Sequence, residues 1–364
     1  MHRSFMALFV AMLALPATAQ EVWQVSGFAL MRAASAPVSG PLGRDPSENE
    51  PLDSETLEAQ VQVGIDWLPS PMYGAHLHLL GRSDNADTRR GTFGIAEAYF
   101  DANFVPNGDR LRLRGGAFFL PTSRENVDAL WEPAYTLTPS ALNSWLGEEL
   151  RPIGVDAAYF RGRAVVGATL FRGNDTFGAV PVARGWQLSD HWITLGEWVA
   201  VDATDFTSVS AETDGRLGWS ARGAWNGEDL LVQLTHIDNR SDGRKYGDLF
   251  NWNTRFDIAA VEYSRGDWTV AGEYGWGPTF LVLDDGRKFG NELAASYLMV
   301  SRWWRHGRAT FRADWFDVDD DHRRALTAAF LWTPPGKIRP AIEVTTAGGE
   351  QRVLLEVRYS FSGG

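Results

Sequence analysis

Three arginines alternate with leucines in one short segment of this chain. Arg110, Arg112 and Arg114 are separated by Leu111 and Leu113. On an extended strand, side chains two residues apart point to the same face at steps of ~6.6 Å. Because a guanidinium keeps its proton in proteins, this spacing predicts a row of permanent positive charges along one strand face. The preference extends to the whole chain, since all but three of its 34 basic residues are arginines.

Other residues with chemical potential form weaker patterns. His76 and His78 also share a strand face, but no third ligand accompanies them, which favours two ordinary polar residues over a metal site. The acidic run 317–321 resembles part of a calcium loop without its glycine and distant glutamate, so a solvated loop is the favoured interpretation. The chain has no cysteine, and no nucleophile signature stands near its scattered histidines. We therefore predict no enzyme activity, no metal and no cofactor.

Composition narrows the class of protein further. The chain has 364 residues and a net charge of −12, which argues against a nucleic-acid partner. Hydrophobic residues make up 44% of it, enough for a large apolar surface. Residues 1–19 combine a weakly basic start, an apolar stretch and a small-residue cleavage site, so they are predicted to be a secretory signal peptide. The remaining residues, 20–364, contain no run of 18 apolar residues and are predicted to form one barrel domain.

The elements that carry these residues are predicted to be strands. Apolar and polar residues alternate in segments of about ten residues, most plainly in 57–67 and 353–361. We count about 16 such segments, an even number, as a closed antiparallel transmembrane β-barrel requires. Segments 177–186 and 191–201 leave open an alternative of 18 strands. This is an all-β fold class.

The connections between these strands alternate in length. Tight turns such as 107–109, 161–163 and 265–267 occupy every other junction, and longer polar links lie between them. Outer-membrane barrels show this sorting, with short periplasmic turns and long outer loops. The two longest links are 121–152, which we call loop 121–152, and 173–215, which we call loop 173–215 and predict to be extracellular.

Aromatic residues indicate which strand face meets lipid. They fall on the apolar faces, mostly near strand ends, where the aromatic girdles of a membrane barrel lie. The predicted set is Trp67, Phe104, Phe119, Tyr159, Phe171, Trp219, Trp225, Tyr263, Trp268, Trp276, Trp315, Trp332, Tyr359 and Phe361. The opposite faces carry many charges of both signs, including Arg312, Arg352 and Arg358. Since unpaired buried charge is expensive, these faces predict a hydrated lumen.

The sequence resembles Gram-negative outer-membrane porins. The resemblance lies in the signal peptide, the alternating strands with sorted loops, and the final strand ending Tyr359-Ser360-Phe361. Segments 115–121 and 135–141 are similar to proteobacterial porin-like proteins of unassigned substrate. The resemblance implies an outer-membrane location reached through the periplasm, contact with lipid and lipopolysaccharide, recognition of the last strand by the barrel-assembly machinery, and a homotrimer.

The resemblance also implies a constriction. Porins fold such a loop into the lumen, so loop 121–152 is the candidate constriction loop. Its carboxylates would then face arginines of the wall. The candidate pore-lining residues are Arg110, Arg112, Arg114, Glu125, Asp128, Glu132, Glu148, Glu149, Arg312, Arg352 and Arg358. Three alternatives stay open: Asp101 lies across the hairpin from Arg112 and partly neutralises the row, the loop lies flat over the mouth, or the loop packs against the barrel interior by its apolar residues. Those residues are Leu130, Trp131, Tyr135, Leu137, Leu142, Trp145 and Leu146. Segment 140–150 is predicted to be a short helix capped by Ser140.

The favoured function is passive diffusion of small polar or charged solutes through the lumen. A substrate-selective channel for anions or sugars is the alternative, and a barrel that is no channel, such as an enzyme or adhesin, is a third possibility.

Overall fold

The computed structural model of the protein describes residues 22–35, 57–83, 92–189, 192–200, 206–283 and 285–363. The predicted signal peptide, residues 1–19, lies outside the described residues. Within the described ranges, no helix is long and apolar enough to cross a membrane.

Sixteen antiparallel strands form a closed barrel, which confirms the predicted fold class. The wall strands are β1 (Val22–Ala34), β2 (Leu57–Ser70), β3 (Tyr73–Arg82), β4 (Phe93–Phe104), β5 (Arg110–Ala117), β6 (Ile153–Arg161), β7 (Ala164–Arg172), β10 (Gly218–Asn226), β11 (Leu230–Asp238), β14 (Asn253–Arg265), β15 (Trp268–Val282), β16 (Lys288–Trp304), β17 (Gly307–Val318), β18 (Asp321–Trp332), β19 (Ile338–Ala347) and β20 (Glu350–Gly363). The first and last strands, β1 and β20, pair with each other and close the ring.

Among the described residues, four short strands and two α-helices lie in the connections. Strands β8 (Trp198–Ala200) and β9 (Phe206–Ser208) form one two-stranded sheet, and β12 (Lys245–Tyr246) and β13 (Leu249–Phe250) form another. Helix α1 spans Ala141–Glu149 in loop 121–152, and helix α2 spans Ala179–Arg184 in loop 173–215. The alternative of 18 wall strands is therefore wrong, because 179–184 is helical and β8 pairs only with β9.

The period-two pattern places apolar side chains outward along the wall. On β20, for example, Leu355, Val357 and Tyr359 are exposed while Glu356 and Arg358 are buried inside. All backbone groups of a closed wall can pair with neighbouring strands, as a barrel in lipid requires. The outward face is thus the apolar one.

Twelve of the fourteen predicted girdle aromatics share this outward parity, but Phe119 and Phe171 do not. Strand β5 ends at Ala117, so Phe119 belongs to the following connection and stacks on Trp131 with ring centroids 4.2 Å apart. Phe171 lies on the inward face of β7 and is 1% exposed. Their prediction as girdle residues was wrong because both contact side chains that enter the barrel.

Candidate functional site

Loop 121–152 lies inside the barrel, and buried ion pairs between side chains hold it against the wall. Glu125 forms an ion pair with Arg312 of β17, and the same guanidinium donates from Nε to Asp314 at 2.8 Å. Glu125 also accepts hydrogen bonds from Ser140 N at 2.8 Å and Asn143 Nδ2 at 3.1 Å. All five residues are buried, and the Arg312 guanidinium pairs with one carboxylate of the loop and one of the wall. A buried ion pair of this kind holds position when all its hydrogen bonds are made.

Two further wall carboxylates hold the loop backbone. Glu343 of β19 accepts hydrogen bonds from the backbone N–H of Leu137 at 2.7 Å and of Thr138 at 3.2 Å. Glu273 of β15 accepts from the N–H of Arg124 at 2.7 Å and from Tyr297 Oη at 2.6 Å. The alternative in which the loop lies flat over the mouth does not fit these contacts.

Helix α1 forms as the sequence predicts. Ser140 caps it, since its hydroxyl accepts a hydrogen bond from Asn143 N at 3.3 Å, and the helix runs from Ala141 to Glu149. Every one of its nine residues is buried. Gly147 allows the ring of Trp192 to lie against the helix, because a Cβ at this position would meet that ring at 2.2 Å. The helix therefore contacts neighbours on all sides.

Glu132 joins three parts of the molecule at the opposite side of the loop. Its carboxylate accepts hydrogen bonds from Gln62 Nε2 of β2 at 2.8 Å, Arg358 Nη2 of β20 at 3.1 Å and Trp192 Nε1 of loop 173–215 at 3.0 Å. Glu125 and Glu132 thus both meet wall arginines from within the lumen.

Loop 173–215 also enters the barrel, which the sequence did not predict. Trp186 Nε1 donates to the backbone oxygen of Asp317 at 2.8 Å, and Arg352 Nη2 donates to Leu188 O at 3.1 Å. Its unusual content of large apolar residues, Phe177, Trp186 and Trp192 among them, is the sequence signal that could have indicated a buried position.

The two loops are joined to each other by the last two acids of α1. Glu148 pairs with Arg184 of α2 at 2.6 Å. Glu149 accepts hydrogen bonds from Trp145 Nε1 and from the backbone N–H groups of Gly178 and Ala179, at 3.0 Å each for the backbone groups. Burial raises the pKa of Glu149 to about 7. Both predicted site residues therefore contact loop 173–215.

An apolar cluster fills much of the space between α1 and strands β14 to β19. It combines loop residues such as Trp145, Phe177 and Trp186 with inward wall residues such as Phe256 and Phe316, all of them nearly inaccessible to solvent. The expectation of an evenly hydrated lumen was wrong for this side of the barrel, because the wall itself presents apolar side chains to the loops.

The arginine row lies on the other side, where solvent reaches the inner wall. Arg114 forms two hydrogen bonds with Asp101, at 2.9 and 3.0 Å, and Arg112 Nη2 contacts Asp156 at 3.3 Å. Their side chains remain 17% and 22% exposed, and that of Asp101 is 23% exposed, so these charges contact water. Asp101 lies opposite Arg114 and not opposite Arg112, whose register partner is Asn103. Asp101 therefore neutralises part of the row within the wall, but it does so at Arg114 and not at the predicted Arg112.

The row begins at the short-turn end of the barrel. Arg110 is exposed at the start of β5, with its guanidinium 3.9 Å from the ring centroid of Phe160. Near the same end, beside the row, a cavity of about 540 Å³ is lined by Asp66, His76, Tyr99 and Asp101 among others. Of the predicted loop acids, Asp128 alone is exposed, where its carboxylate accepts a hydrogen bond from Ala129 N.

Arg151 was not predicted as a site residue and is buried without a carboxylate partner among the described hydrogen bonds and ion pairs. Its guanidinium lies 3.3 Å from the ring centroid of Phe119 and donates to the backbone oxygens of Gly147 and Ile193. Burial lowers its pKa to about 9. Arg151 therefore holds the end of loop 121–152 against loop 173–215 through cation–π and backbone contacts.

These features define the class: a 16-stranded, porin-type β-barrel whose lumen holds two loops. The outer membrane channel DcaP of Acinetobacter baumannii has a similar fold, with a TM-score of 0.61 and 12% sequence identity over 95% of this chain and 99% of that one. A triple mutant of Rhodopseudomonas blastica porin aligns with a TM-score of 0.51 and 11% identity over 93% of this chain and all of the other. No protein-family model and no curated protein sequence matches the chain.

Proposed function

We propose that this protein is an outer-membrane porin through which small polar or charged solutes diffuse passively. The observation that carries the proposal is the division of the wall: apolar and aromatic side chains face outward around a closed ring, while paired charges line the inside. This arrangement, the reverse of that in a water-soluble protein, is expected of a barrel that stands in lipid and encloses polar contents.

The proposed solute path follows the side of the lumen that the loops leave accessible. There Asp101, Arg112 and Arg114 keep contact with water, and the cavity around His76 continues toward the short turns. Charges of opposite sign face each other across short distances on this wall, which orients polar solutes as they pass. Glu125, Glu132 and α1 hold the loops in place and so set the width of the path.

Conductance in planar lipid bilayers tests the proposal. Purified protein should produce stepwise current increases in 1 M KCl, each step being one inserted channel. A variant with Arg312→Met should insert but give altered step sizes, because loop 121–152 loses its buried anchor. The absence of current steps from the wild-type protein would contradict the proposal, provided that insertion is shown by a barrel in the recovered membrane that resists protease.

A substrate-selective channel for anions or sugars is the second candidate, and one observation favours it. All residues of α1 are buried and two loops fill the lumen, so the remaining path is narrow. Liposome swelling separates the two functions. A general porin admits neutral sugars at rates that fall as the sugar becomes larger, while a selective channel admits one class of solute faster than its size predicts.

The location and partners follow from the same proposal. Residues 1–19 would direct export to the periplasm, and β20, with Tyr359 and Phe361 on its outward face, would be recognised by the barrel-assembly machinery. Outward apolar residues would contact lipid and lipopolysaccharide, and the barrel would assemble as a homotrimer. Transport by this barrel requires no cofactor and no catalytic group.

A further inference from the structure

Three carboxylates converge where loop 173–215 meets the long-loop end of the wall. Asp175, Glu212 and Asp214 place one oxygen each within 4.8 Å of the others. Asp175 is 2% exposed, and the other two are half-buried. Like charges this close repel one another, so their proximity calls for a compensating group.

A buried amide from a different loop adjoins this cluster through Thr213. Asn251, in the connection between β11 and β14, is fully buried. Its Nδ2 donates to Thr213 Oγ1 at 2.6 Å, and that hydroxyl donates to Asp175 Oδ2 at 3.1 Å. The amide oxygen, Asn251 Oδ1, has no hydrogen-bond partner although it is buried. Leaving such an oxygen without a partner is costly, and an amide oxygen is also an ordinary ligand of hard cations.

Protein cations compensate little of the charge. Arg172 Nε lies 3.7 Å from Glu212, but the arginine side chain is 65% exposed to water. Within the described part of the chain, Asp175 accepts hydrogen bonds from Thr213 and Asp214 and forms no ion pair with an arginine, lysine or histidine. Three carboxylates and one exposed arginine therefore leave the cluster with a net negative charge.

We propose that Asp175, Glu212, Asp214 and Asn251 bind one Ca²⁺ ion that joins loop 173–215 to the loop between β11 and β14. Calcium takes oxygen ligands at roughly 2.3–2.6 Å, so ligands on opposite sides of the ion are separated by about 5 Å. The three carboxylate oxygens lie within 4.8 Å of one another, which suits this span. Magnesium, with ligands at about 2.1 Å, demands a tighter and more regular cage.

Calcium binding to the full-length protein in detergent tests the proposal. After treatment with a chelator, titration calorimetry with CaCl₂ should show one saturable site with Kd on the order of 10⁻⁴ M. Terbium provides a second readout, because Trp252, whose backbone N–H donates to Asp175 O at 2.7 Å, lies close enough to sensitise its luminescence. Asp175→Asn should weaken calcium binding about tenfold or more, and Asn251→Ala should weaken it by a smaller factor.

Asp285→Asn is the matched control, because Asp285 is an exposed acid outside the cluster. This variant should bind calcium with wild-type affinity. Folding of each variant is checked by its heat-dependent shift on a denaturing gel. If Asp175→Asn does not fold, Asn251→Ala alone decides. Absence of a saturable site in the wild-type protein, or wild-type affinity in the folded variants, would overturn the proposal. Channel conductance has no part in the assay, so its outcome is independent of the transport function.

Discussion

Individual buried carboxylates hold the two loops in place inside this lumen. Glu125 and Glu132 meet arginines of the wall, whereas Glu149 meets backbone N–H groups at the start of α2. A buried carboxylate is tolerable only when several donors replace the water it has lost. Each of these three accepts at least three hydrogen bonds, so each can fix a segment of the loops to its neighbours.

The residue Glu149 gives the junction of the two loops a pH dependence. Its pKa is raised from 4.5 to about 7, so the folded state prefers the protonated form. The resulting stabilisation is fully present below about pH 4.5, is lost as the pH rises toward 7, and changes little above that. At one pKa unit per 1.36 kcal/mol, the loss is on the order of 3 kcal/mol.

Hydrogen exchange measures this effect directly. After correction for intrinsic exchange rates, the amides of Gly178 and Ala179 should exchange faster at pH 8 than at pH 5.5. Glu149→Gln, which does not titrate, should abolish the difference. Equal pH dependence in the wild-type protein and in this variant would show that Glu149 does not control the junction.

At the scale of elements, loop 121–152 is a separate unit held by a few strong contacts. Glu125→Ala removes the loop partner of Arg312, which keeps Asp314, and leaves the buried Ser140 N without its acceptor; a buried donor without a partner costs about 1–3 kcal/mol. The loop should then leave its place against β17. Single-channel conductance should rise because the path widens, while the barrel itself stays folded.

Asp128→Ala is the control for that experiment. Asp128 lies in the same loop and carries the same charge, but it is exposed, and its carboxylate accepts a hydrogen bond from its neighbour Ala129. Its removal should leave the conductance steps at the wild-type size. A rise of equal size in both variants would mean that loss of loop charge, and not release of the loop, controls the current.

The elements differ in how far their sequence determines them. Wall strands were predictable because each alternates over some ten residues and is bounded by a turn, and α1 was predictable from its cap at Ser140. The entry of loop 173–215 into the lumen was not, since its partners, such as Arg352 and Asp317, are more than 100 residues distant. Phe171 was assigned to the wrong face for the same reason: an inward aromatic on a barrel strand is intelligible only when the loop it packs against is known.

The whole molecule combines an apolar exterior, a lumen partly filled by loops and a strip of charged residues, the arginine row and its acidic partners, on the remaining wall. Asp101 and Asp156 lie beside Arg112 and Arg114, so the strip carries charges of both signs and its selectivity depends on their balance. Arg222 adds to the positive side by donating to Asp156 at 2.6 and 2.9 Å. Removing Arg112 and Arg114 should therefore make the strip more negative.

The double variant Arg112→Ser/Arg114→Ser should shift the reversal potential in a KCl gradient toward cation preference, with the chloride-to-potassium permeability ratio falling about twofold. The shift should be larger at low salt, because screening shortens the range of the charges that remain. Arg265→Ser removes a charge at a short turn outside the lumen and should leave the potential unchanged. If the double variant and this control behave alike, solutes do not pass along the arginine row, and the path must run elsewhere between the loops and the wall.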